Sequence, residues 1–248
     1  MISPEDTRAL VRDKYNGDLG ADMHDDLARL AKGEPLAYVI GWITFLNLRI
    51  DLDSRPLIPR PETEQWTEDL IKHLEVKFGD EPFSFLDLCA GSGAIGLAIL
   101  KYFSHSHVTF SELVPEHAAL IYKNLEINGL SVERANVCTG SLFEPLYDMQ
   151  FDVIATNPPY IPSNRTLDES VTLYEPEIAL YGGNDGLDLI RSIIKNSSKH
   201  LRPNGELWIE CDIDNISKAK ELLKYAGANE AVVRTDQYGR ERVLVGYF

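Results

Sequence analysis

The stretch FDVIATNPPY, residues Phe151–Tyr160, joins a run of apolar, strand-forming residues to a turn that stops it. Proline has no backbone N–H and a fixed φ, so the consecutive Pro158 and Pro159 prevent the hydrogen-bond ladder of a β-sheet from continuing. The residue before a proline is held in an extended conformation, and here that residue is Asn157. The sequence therefore predicts a buried strand that ends abruptly in an Asn-Pro-Pro-Tyr turn.

This turn predicts a binding site for a planar amino group. The Asn157 side-chain oxygen and the Pro158 carbonyl can each accept one hydrogen of an –NH2 group, while the Tyr160 ring offers an apolar wall. A plain strand-ending turn is the alternative, which Asn-Pro alone would favour, but the whole tetrapeptide directly after an apolar strand favours a site. We assign Asn157, Pro158 and Tyr160 to catalysis, and the same three residues with Pro159 to substrate binding.

Strands and helices alternate on both sides of this stretch. Short apolar runs predict strands, and apolar residues at helical spacing predict the helices between them. The expected strands are 83–88, 108–112, 135–138, 151–156 and 206–211, and the expected helices are 62–78, 94–103, 115–127 and 187–201. Helices of this length imply right-handed crossovers between parallel strands. Residues 62–248 are thus predicted to form an α/β domain with a Rossmann-like, doubly wound, mainly parallel sheet, closed by an antiparallel hairpin at 231–235 and 242–247.

The residues before this domain predict two smaller parts. Residues 1–32 contain two helical stretches and are expected to form a short helical appendage. Residues 33–61 are expected to form a β-hairpin, because β-branched and aromatic residues cluster between Tyr38 and Phe45, followed by a proline-rich linker.

A glycine turn follows the first predicted strand of the large domain. Residues Asp87–Gly96 (DLCAGSGAIG) place Gly91 and Gly93 where α/β sheets bind ligands, and Glu112 ends the next strand, where an acid can accept hydrogen bonds from ribose hydroxyls. The same pattern occurs in dinucleotide enzymes, so the turn alone is ambiguous. Asp87 and the turn at Asn157 favour S-adenosyl-L-methionine over NAD, since an acid before the glycines is available to a cationic methionine end. The alternative without a ligand is a tight strand-to-helix connection in which Asp87 and Glu112 are solvated acids.

The chain resembles the HemK/PrmC family of S-adenosylmethionine-dependent methyltransferases, which modify the glutamine of the Gly-Gly-Gln loop in peptide-chain release factors. The likeness runs from Gly33 to the C-terminus, and its most specific segments are 57–64 (LIPRPETE), 157–161 (NPPYI) and 174–188 (YEPEIALYGGNDGLD). The resemblance implies methylation of a side-chain amide nitrogen. It also implies a set of cofactor-binding residues, namely Asp87, Cys89, Ala90, Gly91, Gly93, Glu112, Ser141 and Asn157.

The chain departs from the family pattern in three places. Cys89 stands where many members have the first glycine of the turn, and Ser141 stands in place of a frequent acid that faces the adenine amino group. The region before Gly33 is shorter than the usual helical domain of the family. We therefore expect the surface that docks the release factor to be reduced or differently built.

Composition and charge favour a protein partner over nucleic acid. The formal net charge is -15 and the isoelectric point is about 4.8, which repels a phosphate backbone. The three cysteines Cys89, Cys138 and Cys211 lack CxxC spacing, so we expect neither disulfides nor a metal site. We expect a monomer that binds neither nucleic acid nor a membrane directly. The alternatives are an adenine-N6 methyltransferase of DNA or RNA, which shares the Asn-Pro-Pro-Tyr turn, and a catalytically idle binding subunit.

Local features bear on the cellular compartment. Three features look more like fungal mitochondrial members of the family than bacterial ones, namely the Asp87-Leu88-Cys89 spelling of the glycine turn, Trp66 and the Ser170-Val171 pair. The N-terminal residues are rich in acids and do not resemble a transit peptide or a secretory signal. We expect a mitochondrial location, with the cytoplasm as the alternative.

Overall fold

The computed structural model describes residues 2–248, in which short N-terminal helices precede an alternation of strands and longer helices. The strands are β1 (Trp42–Phe45), β2 (Leu48–Asp51), β3 (Ser84–Leu88), β4 (His107–Glu112), β5 (Ala135–Thr139), β6 (Phe151–Thr156), β7 (Leu201–Glu210), β8 (Glu230–Thr235) and β9 (Glu241–Tyr247). The α-helices are α1 (Pro4–Asp13), α2 (His24–Ala31), α3 (Leu36–Ile40), α4 (Pro61–Phe78), α5 (Ala94–Tyr102), α6 (Pro115–Ile127), α7 (Glu169–Tyr174), α8 (Asp188–His200) and α9 (Ile216–Tyr225). No helix in this range is long and apolar enough to cross a bilayer.

A seven-stranded sheet with the order β5-β4-β3-β6-β7-β9-β8 forms the centre of the protein. Strands β3 to β7 are parallel, whereas β9 is antiparallel to both β7 and β8. This confirms the predicted mainly parallel, doubly wound sheet with an antiparallel hairpin at one edge. Since parallel strands end at the same edge, Leu88, Glu112, Thr156 and Glu210 all lie at the carboxyl edge of the sheet.

Buried apolar residues of the central strands fix the helices on both faces. Phe85 of β3 and Val153 of β6 belong to a core shared with α4, α5 and the β1–β2 hairpin, while Ile154 belongs to a second core shared with α8 and α9. Gly96 lets α5 lie close to β4, because a Cβ at this position would overlap the Phe110 ring. The first turn of α5 is therefore held directly against the sheet, next to the glycine turn.

Residues 38–40 form part of a helix rather than the predicted strand. Helix α3 covers Leu36–Ile40 and ends at Gly41, whose φ of 96° is readily adopted only by glycine. Tyr38 is buried and its hydroxyl donates a hydrogen bond to the Pro56 carbonyl at 2.6 Å. Tertiary packing thus overrides the strand preference of this run, and the hairpin begins only at Trp42.

Further differences from the predicted elements lie after residue 160. Helices α7 and α9 were not predicted, although α9 buries Ile216, Ala219 and Leu223 at helical spacing. Strand β7 begins at Leu201, which pairs with Phe151 before the register shifts, and not at residue 206. The Pro-Asn-Gly sequence at 203–205 reads as a loop, and it is the pairing at both ends that extends the strand through it.

The β1–β2 hairpin is attached to the large domain by hydrogen bonds. The Asp51 N–H donates to Asn124 Oδ1 of α6 at 2.8 Å. Asn124 Nδ2 in turn donates to the Ser92 carbonyl in the glycine turn at 3.0 Å. One fully buried asparagine therefore connects the hairpin, a helix and the glycine turn.

Candidate active site

Two adjoining cavities open at the carboxyl edge of the sheet. The first has a volume of about 310 Å³ and lies between the glycine turn, the end of β4 and the turn after β6. The second, of about 160 Å³, lies against the turn after β6, helix α7 and the segment before α4. Leu57, Asn157 and Ala179 line both cavities. Asn157 thus borders each of the two spaces.

The glycine turn forms one wall of the first cavity. Gly91 has a φ of 55°, and a Cβ built on it would meet no atom within 4 Å, so the backbone here is exposed to the cavity. Cys89 also lines the cavity and has a φ of 61°, a left-handed conformation that side-chain-bearing residues adopt at a cost. Burial raises the pKa of its thiol to about 12, so the thiol is uncharged at neutral pH.

Glu112 presents a pre-oriented carboxylate to the same cavity. Its Oε2 accepts a hydrogen bond from the Gly91 N–H at 2.7 Å, and its Oε1 accepts one from the Val114 N–H at 2.9 Å. Each carboxylate oxygen keeps a further lone pair after these bonds. The buried carboxylate is therefore suited to accept hydrogen bonds from the two hydroxyls of a ribose.

Asp87 lies beneath the glycine turn and is not part of the cavity lining. Its Oδ2 accepts a hydrogen bond from the Gly96 N–H at 2.8 Å, whereas its Oδ1 is buried without a hydrogen-bond partner. Burial, together with the nearby charge of Glu112, raises the pKa of Asp87 to about 8. A nearby cation favours the ionised form of such an acid, so Asp87 is well placed to pair with a cationic ligand.

Some of the other predicted cofactor residues line the first cavity, and others lie behind its lining. Ser141 lines the first cavity, whereas Ala90 and Gly93 do not. Gly93 begins α5 with a φ of 81° and lies against Ile121. The exposed backbone of Gly91, the carboxylate of Glu112 and the unpaired oxygen of Asp87 together fit S-adenosylmethionine, and the volume suits a small-molecule site.

The sequence did not identify His117 as a lining residue of this cavity. His117 lies in the first turn of α6, and its Nδ1 is 2.8 Å from the hydroxyl of Ser54. Burial lowers the pKa of its imidazole, which favours the neutral form. A lone histidine in a helix gives no signal in one sequence, so only the fold shows where it points.

The Asn-Pro-Pro-Tyr turn lines the second cavity. Asn157, Pro158 and Tyr160 face it, whereas Pro159 lines the first cavity. Among residues 2–248, no backbone N–H binds the Pro158 carbonyl, which leaves this oxygen available as an acceptor. The structure thus brings three of the four predicted substrate residues to one cavity.

The predicted linker supplies another wall of both cavities. Leu57 lines the two spaces and Arg60 lines the second. Glu175 is almost fully buried, pairs with the Arg60 guanidinium and accepts a hydrogen bond from the Ile58 N–H at 3.1 Å. This pairing joins two of the sequence segments that carry the family resemblance, 57–64 and 174–188.

A buried carboxylate behind the second cavity was also missed by the sequence. Glu210 accepts hydrogen bonds from Thr63, Trp66 and Tyr160, and Thr63 accepts one from Asn157 Nδ2 at 3.1 Å. One signal for Glu210 was present, since it ends a parallel strand beside β6 at the ligand-binding edge of the sheet.

Comparison with known proteins places the chain among methyltransferases. A family model described as "Methyltransferase small domain" matches residues 62–173. A release factor glutamine methyltransferase of Geobacter sulfurreducens is 36% identical over 222 residues, which cover 89% of this chain and 75% of the bacterial protein. A protein of the same name from Deinococcus radiodurans is 34% identical over 228 residues, with coverage of 92% and 79%.

Solved structures share the fold at low sequence identity. A methyltransferase from Pyrococcus furiosus has a TM-score of 0.58 and 18% identity, with coverage of 90% of this chain and 98% of that one. A T. thermophilus 16S rRNA methyltransferase in complex with AdoMet and guanosine has a TM-score of 0.57 and 19% identity, with coverage of 83% and 49%. At such identities the likeness indicates the fold alone.

Proposed function

Because this chain belongs to the family of release factor glutamine methyltransferases, we propose that it methylates the glutamine of the Gly-Gly-Gln loop in a peptide-chain release factor. The methyl donor is S-adenosylmethionine, and the acceptor is the nitrogen of the glutamine side-chain amide. The bacterial relatives confirm the family expected from the sequence segments.

One observation carries the proposal to this site, namely that Asn157 borders both cavities. The first cavity holds the cofactor, and the second admits the glutamine side chain from the protein surface. S-adenosylmethionine supplies an electrophilic methyl group when bound. A residue at the junction can therefore hold the amide nitrogen where the two ligands meet.

Asn157 and Pro158 address the low reactivity of a carboxamide. The nitrogen lone pair of an amide is delocalised into its carbonyl, so the nitrogen is a poor nucleophile. The Asn157 oxygen and the Pro158 carbonyl accept the two amide hydrogens, fix the nitrogen in position and stabilise positive charge that develops on it. Leaving the desolvated amide group without these acceptors would cost on the order of 2–7 kcal/mol.

No catalytic base is assigned to the reaction. The nitrogen becomes acidic as it gains the methyl group, and it then releases one proton to water. Tyr160 forms an apolar wall for the flat amide. Its hydroxyl is committed to Glu210 at 2.8 Å, and burial, together with the Glu210 charge, raises the pKa of the phenol well above its usual range.

The proposal is tested by methyl transfer from labelled S-adenosylmethionine to a purified release factor. A release factor with the loop glutamine replaced and an adenine-containing oligonucleotide serve as parallel acceptors. Label in the intact release factor alone is the expected result. Label in the oligonucleotide instead would show that Asn157 binds a base, and that the chain is an adenine methyltransferase.

Asn157→Ala should reduce turnover about a hundredfold or more, because one preorganised acceptor is lost. Thermal unfolding without ligand serves as the control that the variant is folded. Near-normal turnover in this variant would contradict the role of Asn157.

The acidic surface supports a further part of the proposal, that the chain acts as a monomer and excludes nucleic acid while it attracts a basic release factor. With a net charge of -15, binding should weaken as salt screens the attraction. Titrations at several salt concentrations and light scattering would test this, and salt-insensitive binding would contradict it.

We also propose a mitochondrial location, which is supported by Trp66, the Asp87-Leu88-Cys89 spelling of the glycine turn and the Ser170-Val171 pair. Fractionation of cells that express the C-terminally tagged chain should recover it with mitochondria. Recovery in the cytosol alone would contradict the assignment.

A further inference from the structure

Glu210 forms a hydrogen-bond centre behind the substrate cavity, and the proposed reaction gives it no role of its own. It is 1% exposed and ends β7, next to strand β6, which Asn157 directly follows. Its Oε2 accepts from the Thr63 hydroxyl and the Trp66 indole N–H, both at 2.7 Å, and its Oε1 accepts from the Tyr160 hydroxyl at 2.8 Å. The three donors come from helix α4 and from the turn after β6.

This arrangement determines where the hydroxyl hydrogen of Thr63 points. Three donor groups converge on the two Glu210 oxygens, so these oxygens act as acceptors and Thr63 uses its single hydrogen to bind Glu210. The Thr63 oxygen then offers only lone pairs to other neighbours. The Asn157 atom that lies 3.1 Å from this oxygen must therefore be the amide nitrogen, which donates to it.

The orientation of the Asn157 amide follows from this bond. With Nδ2 held by Thr63, the side-chain oxygen is on the other branch of the amide and is free of that contact. In the flipped orientation, the Asn157 oxygen would face the Thr63 oxygen with no hydrogen between them. Two acceptors in contact with no hydrogen between them are disfavoured, so the amide is held in one of its two orientations.

We propose that Glu210, acting through Thr63, is a positioning residue that fixes the Asn157 amide with its oxygen toward the substrate and thereby selects a carboxamide over a carboxylate. This inference rests on the proposed function. A glutamine side chain donates two N–H hydrogens to the site, whereas a glutamate carboxylate has none to donate. A flipped Asn157 would instead present its N–H groups, which can donate hydrogen bonds to a carboxylate.

The same carboxylate restrains the other end of the turn. Tyr160 donates directly to Glu210, so its ring is held at a fixed place in the wall of the cavity. Trp66 occupies the remaining acceptor site of Oε2 and helps to keep the carboxylate in place. Glu210 therefore controls both polar side chains of the turn, one directly and the other through Thr63.

Thr63→Val and Thr63→Ser form a matched pair for the test. Valine keeps the shape of threonine but loses the hydroxyl, whereas serine keeps the hydroxyl. Glu210→Gln supplies an independent variant, because a glutamine at this position can donate to Thr63 and release its hydrogen toward Asn157. Both orientations of the Asn157 amide then become possible.

The measurement is the ratio of the dissociation constants of two release-factor proteins, one with the intact Gly-Gly-Gln loop and one with glutamate in place of the loop glutamine. It is made by calorimetry in the presence of S-adenosylhomocysteine, so that no turnover occurs. Thr63→Val and Glu210→Gln should each reduce the preference for glutamine by about tenfold to a hundredfold, as expected for one buried polar contact. Thr63→Ser should retain the preference, and kcat should fall more than KM rises in the two defective variants.

The outcomes separate this inference from the proposed function. If the unchanged chain neither binds nor methylates the release factor, the proposed function fails. If it does both, and Thr63→Val keeps the preference of Thr63→Ser, the relay through Thr63 is refuted. The affinity for S-adenosylmethionine reports on folding, and if Thr63→Val does not fold, an unchanged preference in Glu210→Gln refutes the inference.

Discussion

Replacing Asp87 by asparagine should stabilise the free protein at neutral pH while weakening its hold on the cofactor. Asp87 is fully buried, and burial raises its pKa from 3.8 to about 8. A raised folded-state pKa means that the contribution to stability is fully present below pH 3.8 and is lost as the pH rises toward 8. Because one pKa unit corresponds to about 1.4 kcal/mol, the loss at pH 7 is on the order of 4 kcal/mol.

Asparagine removes this loss but introduces a cost of its own. Its oxygen can still accept from the Gly96 N–H, whereas its NH2 group replaces the unpaired Oδ1 and has no acceptor. An unsatisfied buried donor costs about 1–3 kcal/mol. The net gain in the free energy of unfolding at pH 7 is therefore on the order of 1–3 kcal/mol, which raises Tm by several degrees in a protein of this size.

The assay is thermal unfolding of the unchanged chain and of Asp87→Asn, with and without S-adenosylmethionine, at intervals between pH 5 and pH 7. Other titrating groups are common to both proteins, so the difference between them isolates Asp87. This difference should change by about 1.4 kcal/mol for each pH unit. The cofactor should raise Tm more in the unchanged chain. Parallel stability curves across this pH range would refute the buried, protonated state of Asp87.

Three further substitutions separate cofactor binding from folding and test a second buried acid. Gly96→Ala should lower Tm by a few degrees, because overpacking costs about 1–3 kcal/mol, while calorimetry should show an unchanged affinity for the cofactor. Gly91→Ala, whose methyl group points into open space, should instead weaken the affinity for the cofactor by about tenfold or more. Although burial opposes it, hydrogen bonds from His73 and Lys77 hold the pKa of Glu206 at about 2. This stabilisation is present above pH 4.5 and is lost as the pH falls toward 2, so the stability advantage over Glu206→Gln, on the order of 3 kcal/mol in denaturant unfolding at pH 7, should shrink between pH 5 and pH 3.

The sequence predicted the central sheet and its long helices well because these elements are strongly periodic. Helix α6 and strand β6 have the predicted bounds, Pro115–Ile127 and Phe151–Thr156, because prolines or asparagine and glycine mark their ends. The prediction was wrong at Tyr38–Ile40, where burial against Pro56 decides the conformation. Such a contact joins distant residues, and the local pattern carries no trace of it.

The site was predicted where chemistry and turn geometry coincide in a short motif. Three residues could be predicted because they lie at or just after the ends of strands, namely Asn157, Glu112 and Gly91. All three line the first cavity. His117 and Glu210 could not be predicted in this way, because their roles depend on contacts with residues that are distant in the sequence. The predicted roles of the site residues in binding and catalysis remain predictions, and the experiments above address them.

The wall formed by the segment before α4 has a consequence for how this protein can diverge or be recombined. The family match begins at residue 62, although Arg60 before this boundary pairs with Glu175 after it. A chimera joined at that boundary would take the two sides of each cavity from different parents. The segment that contains Leu57 and Arg60 must therefore come from the same parent as the cavity walls opposite it. A viable crossover point lies before this segment.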